Sequence, residues 1–103
     1  MVHRLMVSYG QPADPEAFDA YYRDVHTPIA LKQPGLLALT VGRPQSLDPS
    51  QTVPYLVAEL DFESEEAMQQ TMASPEGRAA GKDLGNFATG GATFAHFDVQ
   101  TVR

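Results

Sequence analysis

Leu36-Leu37-Ala38-Leu39-Thr40-Val41-Gly42 and, after a loop, Val53-Pro54-Tyr55-Leu56-Val57-Ala58-Glu59-Leu60-Asp61-Phe62 are two strand-forming runs with no helical segment between them. The connection carries Pro44, Asp48 and Pro49, which are turn and loop formers. Pro54 has no N–H to give a sheet, so it belongs near the start of its strand or on an exposed edge. Upstream, Met1 to Tyr9 reads as a first strand closed by Gly10-Gln11-Pro12. Asp14-Pro15-Glu16 then opens a helix with an N-cap acceptor, a proline of preset φ and a negative charge toward the dipole. Phe18, Tyr21, Tyr22, Val25 and Ile29 recur at helical spacing, and Thr27 before Pro28 predicts that this helix ends near His26. Downstream, Ser64-Glu65-Glu66 and Ser74-Pro75-Glu76 are two start signals ten residues apart, predicting two short helical pieces that meet at Ser74. Gly77, Gly81 and Gly85 are expected to form a side-chain-free face for close backbone approach, and Gly90-Gly91 precedes a last strand over Ala92 to Val102.

The resulting order is β-α-β-β-α-β, the split pattern of ferredoxin-like folds, in the α+β class. It implies a four-stranded antiparallel sheet with helices on one face. Leu36-Leu37-Ala38-Leu39 and Tyr55-Leu56-Val57-Ala58 do not alternate, so both sheet faces are expected to be apolar. A single domain of 103 residues has nothing of its own to cover the second face, and a second copy of the chain is the simplest cover.

Composition removes several function classes. Seven basic residues against 13 acidic give a net charge of -6, and the basic ones form no stripe, which argues against nucleic acid and an anionic membrane surface. There is no cysteine for a disulfide, a thiolate metal site or a thiol nucleophile. No apolar run approaches the roughly 20 residues of a membrane span, and the first residues lack a signal-peptide pattern, so a cytoplasmic location is expected.

Phe18 and Tyr21 are followed by His26-Thr27-Pro28 and Pro34-Gly35-Leu36, then Val57-Ala58-Glu59-Leu60 before Ser64-Glu65-Glu66-Ala67. Ser74-Pro75-Glu76 follows, and then Asp83, Asn86, Phe87 and Gly90. Taken together, these segments resemble the EthD family. The family takes its name from a protein encoded with an ether-degrading cytochrome P450 system. The resemblance covers nearly the whole chain, residues 1–103 as one domain, and implies a dimeric α+β barrel: two ferredoxin-like units packed sheet against sheet, each with a small-molecule pocket. Related barrels include lactone isomerases, polyketide cyclases, cofactor-free monooxygenases and haem enzymes. The loop between the second and third strands matches no family pattern.

His26 is the sharpest candidate for chemistry. It lies one helical turn after Tyr22 and two after Phe18, and an imidazole can accept or donate a proton for an enolisable substrate. The same position also suits a histidine that merely caps a helix C-terminus. Asp83 stands four residues before Phe87, as the family pattern has it, and suits either a carboxylate that orients an imidazole or holds a substrate hydroxyl, or one that pairs with Lys82 or Arg78 on a solvated face. Tyr9, Tyr22, Asn86 and Phe87 complete the expected ligand contacts, with the phenols able to bind a polar substrate edge. His3, Glu59, His96 and Asp98 raise the question of a metal, and His96 and Asp98 share a strand face. No His-x-His or His-Glu-x-x-His spacing occurs, and no metal centre is expected. P-loop, dinucleotide-binding and serine-elbow patterns are absent too. The expected function is a cofactor-independent enzyme doing proton-transfer chemistry (isomerase, cyclase or dehydratase-like) on a hydrophobic oxygenated metabolite. The alternatives are a cofactor-free monooxygenase and a non-catalytic carrier of a metabolite or haem.

Overall fold

Strict alternation along two central strands organises the sheet. In the computed structural model, which describes residues 1–103, β1 (His3–Tyr9) and β3 (Leu56–Phe62) each alternate buried and half-buried positions from end to end. They pair antiparallel with Leu5 opposite Leu60 and Val7 opposite Ala58. β2 (Ala38–Gly42) flanks β3, and β4 (Ala92–Asp98) flanks β1 on the other side, giving the antiparallel order β2-β3-β1-β4. This is the ferredoxin-like arrangement expected from the element order.

The expected apolar second face is corrected by this alternation. Leu36, Leu37 and Tyr55 lie outside the strands, so the runs that broke alternation in the sequence were strand plus approach segment. Within the strands, Leu56, Ala58, Leu60 and Phe62 face the helices, while Val57, Glu59 and Asp61 face away. Toward one end of the far face Arg4 donates to Asp61 through Nε at 2.7 Å and a terminal nitrogen at 3.1 Å, with Glu59 at 3.5 Å. That face is mixed, with Met6, Val57, Ala95 and Phe97 around a charged cluster. The outer strands are also shorter than expected, the last one ending at Asp98.

The helices cover the other face, and the cap residues work as their types dictate. Asp14 accepts from the Ala17 N–H to open α1 (Pro15–Tyr21). Ser64 accepts from Ala67 to open α3 (Glu65–Ala73), and Ser74 accepts from Gly77 to open α4 (Pro75–Asp83). Ser74 is at once the end of α3 and the start of α4, as the paired start signals predict. The first helix does not end at His26. It widens into a π-helical turn over Tyr22–His26 and resumes as α2 (Thr27–Ala30). The reason is Pro28: it lacks the N–H for an α-type bond, and its ring would clash with the carbonyl four residues back. A wider turn absorbs both defects without ending the helix.

The buried core joins Leu5, Val7, Tyr9, Leu56, Leu60 and Phe62 of the sheet to Phe18, Tyr22, Met68 and Phe87 of the helical layer. Tyr9 lies edge-on to Phe18 and Tyr22, at 5.4 and 5.8 Å between centroids, a favourable aromatic geometry.

Of the three spaced glycines, only Gly77 marks a close approach. A Cβ there would lie 2.0 Å from the Thr71 carbonyl oxygen and 2.9 Å from the Met72 Cα, where α4 crosses the end of α3. Gly81 and Gly85 have open space at the same place. Gly77→Ala is therefore expected to destabilise the fold by about 1–3 kcal/mol through backbone overpacking. Gly81→Ala is expected to be neutral or to stabilise α4 by up to about 1 kcal/mol. Denaturant melts of the two variants beside wild type check this; equal losses at both positions contradict it.

Candidate active site

The π turn decides which side chains meet. At 3.6 residues per turn, positions five apart on an α-helix point about 140° away from each other. Tyr21 and His26 are five apart, yet both reach the same carboxylate. The wider turn between them brings their side chains to one side, and Thr27 locks it: its N–H and its Oγ1 both donate to the Tyr22 carbonyl, the latter at 2.7 Å.

The shared carboxylate is Asp83, the last residue of α4. Its Oδ2 lies 2.9 Å from His26 Nδ1, while Oδ1 accepts from the Tyr21 hydroxyl at 2.6 Å and from Asn86 Nδ2 at 2.9 Å. Asp83 and His26 are 7% and 5% exposed, so this is a buried pair. Burial alone raises the Asp83 pKa, but the hydrogen bonds from Tyr21, Asn86 and His26 outweigh it and hold the carboxyl below its usual range. An ionised carboxylate can only accept, so His26 carries its proton on Nδ1. In the neutral ring Nε2 is then a bare acceptor. The imidazole packs against Phe87 at 4.8 Å and Tyr22 at 5.3 Å between centroids, its plane inclined to theirs by 47° and 40°.

His26 and Tyr22 line a cavity of about 70 Å³ between sheet and helices, where 12 of 16 lining residues are hydrophobic. Tyr9, Leu5, Val7 and Leu60 form its floor, and Ala80 and Gly81 of α4 form part of its wall. Gly81, lacking a side chain, leaves that wall recessed. Burial pushes the Tyr22 phenol up to about 12, and burial with the nearby Tyr22 and Asp83 charges raises Tyr9 as well. Both therefore remain neutral donors at physiological pH. A wider depression of about 740 Å³ lies beside Asp19, Arg23 and Arg43 and shares Tyr22 with the first, but it holds no buried acid–base pair.

The structure thus brings His26, Asp83, Tyr9, Tyr22, Asn86 and Phe87 into one neighbourhood and sorts them. His26, Tyr9 and Tyr22 line the cavity, whereas Asp83, Asn86 and Phe87 lie behind His26 and do not. Of the places expected for Asp83, the structure has it behind the ring, against His26 Nδ1, and not at the cavity wall where a substrate hydroxyl would lie. Tyr21 was missed as a polar partner, because α-helical spacing turns it away from His26; the only sequence signal for it was the proline two residues after the histidine. His26 offers the cavity a single nitrogen, too few for a metal by itself.

Two outcomes follow from the carboxylate. Tyr21→Phe removes one of the three hydrogen bonds to the Asp83 carboxylate and is expected to lower the melting temperature, by less than Asp83→Asn does. Asp83→Asn is expected to destabilise the protein at pH 7, with the gap to wild type closing as pH falls. The folded pKa lies below the unfolded value near 3.9, so the stabilisation is full above about pH 4 and is lost as pH drops through the folded value. Melting temperatures of both proteins from pH 2 to 7 check this; a gap that widens in acid contradicts it.

With this geometry in view, comparison with known proteins is specific. An EthD domain is matched over residues 10–91. An uncharacterised 11.0 kDa protein from the thcB–thcC intergenic region of Rhodococcus erythropolis is 40% identical over 101 residues, 98% of each chain. The crystal structure of an EthD family protein from Bacillus halodurans is similar at a TM-score of 0.88 and 34% identity, covering 97% of this chain and 100% of that one. A dimeric ferredoxin-like protein of unknown function from Thermobifida fusca shares the fold at 13% identity and a TM-score of 0.71, over 96% and 92% of the two chains. SnoaB, a cofactor-independent oxygenase from Streptomyces nogalater, shares it at 18% identity and a TM-score of 0.65, over 98% and 95%. The chain belongs to the EthD family.

Proposed function

We propose that this chain is a cofactor-independent enzyme that moves a proton on a hydrophobic, oxygen-bearing small molecule. The observation that carries the proposal is the buried Asp83–His26 pair, with the ring proton held on Nδ1 and Nε2 left bare at the wall of an apolar cavity. Nε2 takes a proton from a carbon beside a carbonyl, and the electron pair moves onto the carbonyl oxygen as an enolate. The imidazolium returns the proton to another carbon in an isomerisation, or to a departing hydroxyl, leaving as water, in a dehydration. Asp83 is a positioning residue: it sets the ring tautomer and stabilises the imidazolium. Neutral Tyr9 and Tyr22 phenols are the donors available to the enolate oxygen.

A second reading shares the first step. The enolate can pass an electron to dioxygen and then combine with it, which is oxygenation without a cofactor. The fold shared with a cofactor-independent oxygenase supports keeping it. The proposal includes self-association through the far sheet face, supported by the exposed Phe97 there and by a neighbour described as dimeric.

The test is exchange of substrate C–H for deuterium in D2O, followed by NMR over a panel of 1,3-diketones and phenolic ketones with oxygen uptake recorded in parallel. His26→Ala is expected to slow exchange by about 10²-fold or more, the scale of one general base. Asp83→Asn is expected to do the same with the ring still in place, because an amide facing Nδ1 moves the ring proton to Nε2. Rates indifferent to His26 sink the proposal. Exchange with oxygen uptake selects the oxygenase reading, and tight binding without exchange selects a carrier. Light scattering at micromolar concentration is expected to show a pair of chains; a lone chain removes the self-association.

A further inference from the structure

A second polar cluster lies at the end of the sheet, apart from the cavity. His3, at the start of β1, is 3% exposed on the helix-facing side, where its strand otherwise buries Leu5, Val7 and Tyr9. The antiparallel register sets Asp98 opposite His3 and His96 opposite Leu5, so these three polar side chains from two strands share one face. Glu65, in the first turn of α3, reaches the same place, and the ligating atoms of His3, His96 and Glu65 all lie within 4.8 Å of one another.

The hydrogen bonds fix how the imidazoles face. His3 Nδ1 is 2.7 Å from the Asp98 carboxylate, which as an anion only accepts, so His3 carries its proton on Nδ1. In the neutral ring Nε2 is bare, and it faces His96 Nδ1 at 2.9 Å, the rings 5.1 Å apart and inclined at 56°. Asp98 alone satisfies the donor of a buried histidine. His96 Nδ1 carries a proton and donates it to His3 Nε2, and the contact brings two imidazole nitrogens to one point with the Glu65 carboxylate beside them, the makings of a ligand set.

We propose that His3 Nε2, His96 Nδ1 and a Glu65 carboxylate oxygen bind a divalent transition metal, of which zinc is the type, leaving a fourth position for water or another small ligand. Two imidazoles and one carboxylate favour zinc, copper, nickel or cobalt over magnesium and calcium, which take all-oxygen shells. Two nitrogens on a tetrahedral zinc sit about 3.3–3.4 Å apart, so the pair at 2.9 Å has only to open slightly. His96 and Glu65 are exposed and free to make that adjustment, while His3 is fixed. On binding, the proton on His96 Nδ1 moves to its Nε2, and the ring stays neutral. Asp98 then supplies the outer carboxylate that orients a ligating histidine and raises its basicity. Glu59, grouped with these residues by type, lies on the opposite sheet face against Arg4 and takes no part.

The test is calorimetric titration of tag-free, chelator-stripped protein with zinc chloride, and with cobalt(II) to read coordination from its visible spectrum. One equivalent per chain is expected, with cobalt bands of a four-coordinate site. Asp98→Asn is expected to weaken binding about 10- to 100-fold, as loss of an outer carboxylate does. His96→Ala and Glu65→Gln alter exposed side chains, so their folds are expected to hold and their zinc affinity to fall further. His26→Ala is expected to bind zinc as wild type does. Absence of a stoichiometric zinc site in wild type overturns the proposal. So does affinity unchanged in His96→Ala, or lost in His26→Ala, which assigns the metal to the cavity instead.

Discussion

One buried anion organises the helical layer. Asp83 sits where desolvation opposes its charge, and three donors from three segments hold that charge in place: Tyr21 from α1, His26 from the π turn and Asn86 from the short 3-10 turn after α4. The bonds from Tyr21 and His26 join segments distant in sequence, so the carboxylate fastens the first helical region to the second on one face of the sheet, while Asn86 closes a local turn onto it. Apolar packing attracts these helices but tolerates sliding. The hydrogen bonds select one position, and with it the depth and orientation at which His26 meets the cavity.

The π turn is the local condition for that arrangement. A regular helix would send Tyr21 and His26 to different sides. A helix stopped by Pro28 would leave His26 on a fraying end. Thr27 and Pro28 together do neither: the proline removes the α-type bond, and the threonine supplies two donors to the carbonyl of Tyr22. What a propensity argument treats as a terminator acts here as a widening that keeps the histidine inside packed structure.

Much of the fold was legible because it is written in local chemistry. Asp14, Ser64 and Ser74 accept the N–H groups that cap residues of their type should accept, and the two strand runs without an intervening helix fixed the topology. The aromatic face and the step from Tyr22 to His26 were also visible. The polarity of the far sheet face was misjudged because alternation has meaning only once strand ends are known, and Leu36, Leu37 and Tyr55 lie outside them. The equal spacing of the glycines overstated their likeness, since spacing does not tell which one meets a neighbour. Nor can spacing reveal that His3 and His96, 93 positions apart, touch; that depends on the register of β1 against β4.

Ser74 leaves no spacer between α3 and α4, because the residue that closes one opens the next. The junction therefore has no tolerance for insertion or deletion: one added residue turns α4 by a helical step and carries Ala80, Gly81 and Asp83 away from their places together. Chains descended from this one can vary the cavity wall only by exchanging side chains at fixed length. The long connection between β2 and β3, remote from that junction in sequence, is where changes of length can accumulate without disturbing the chemistry.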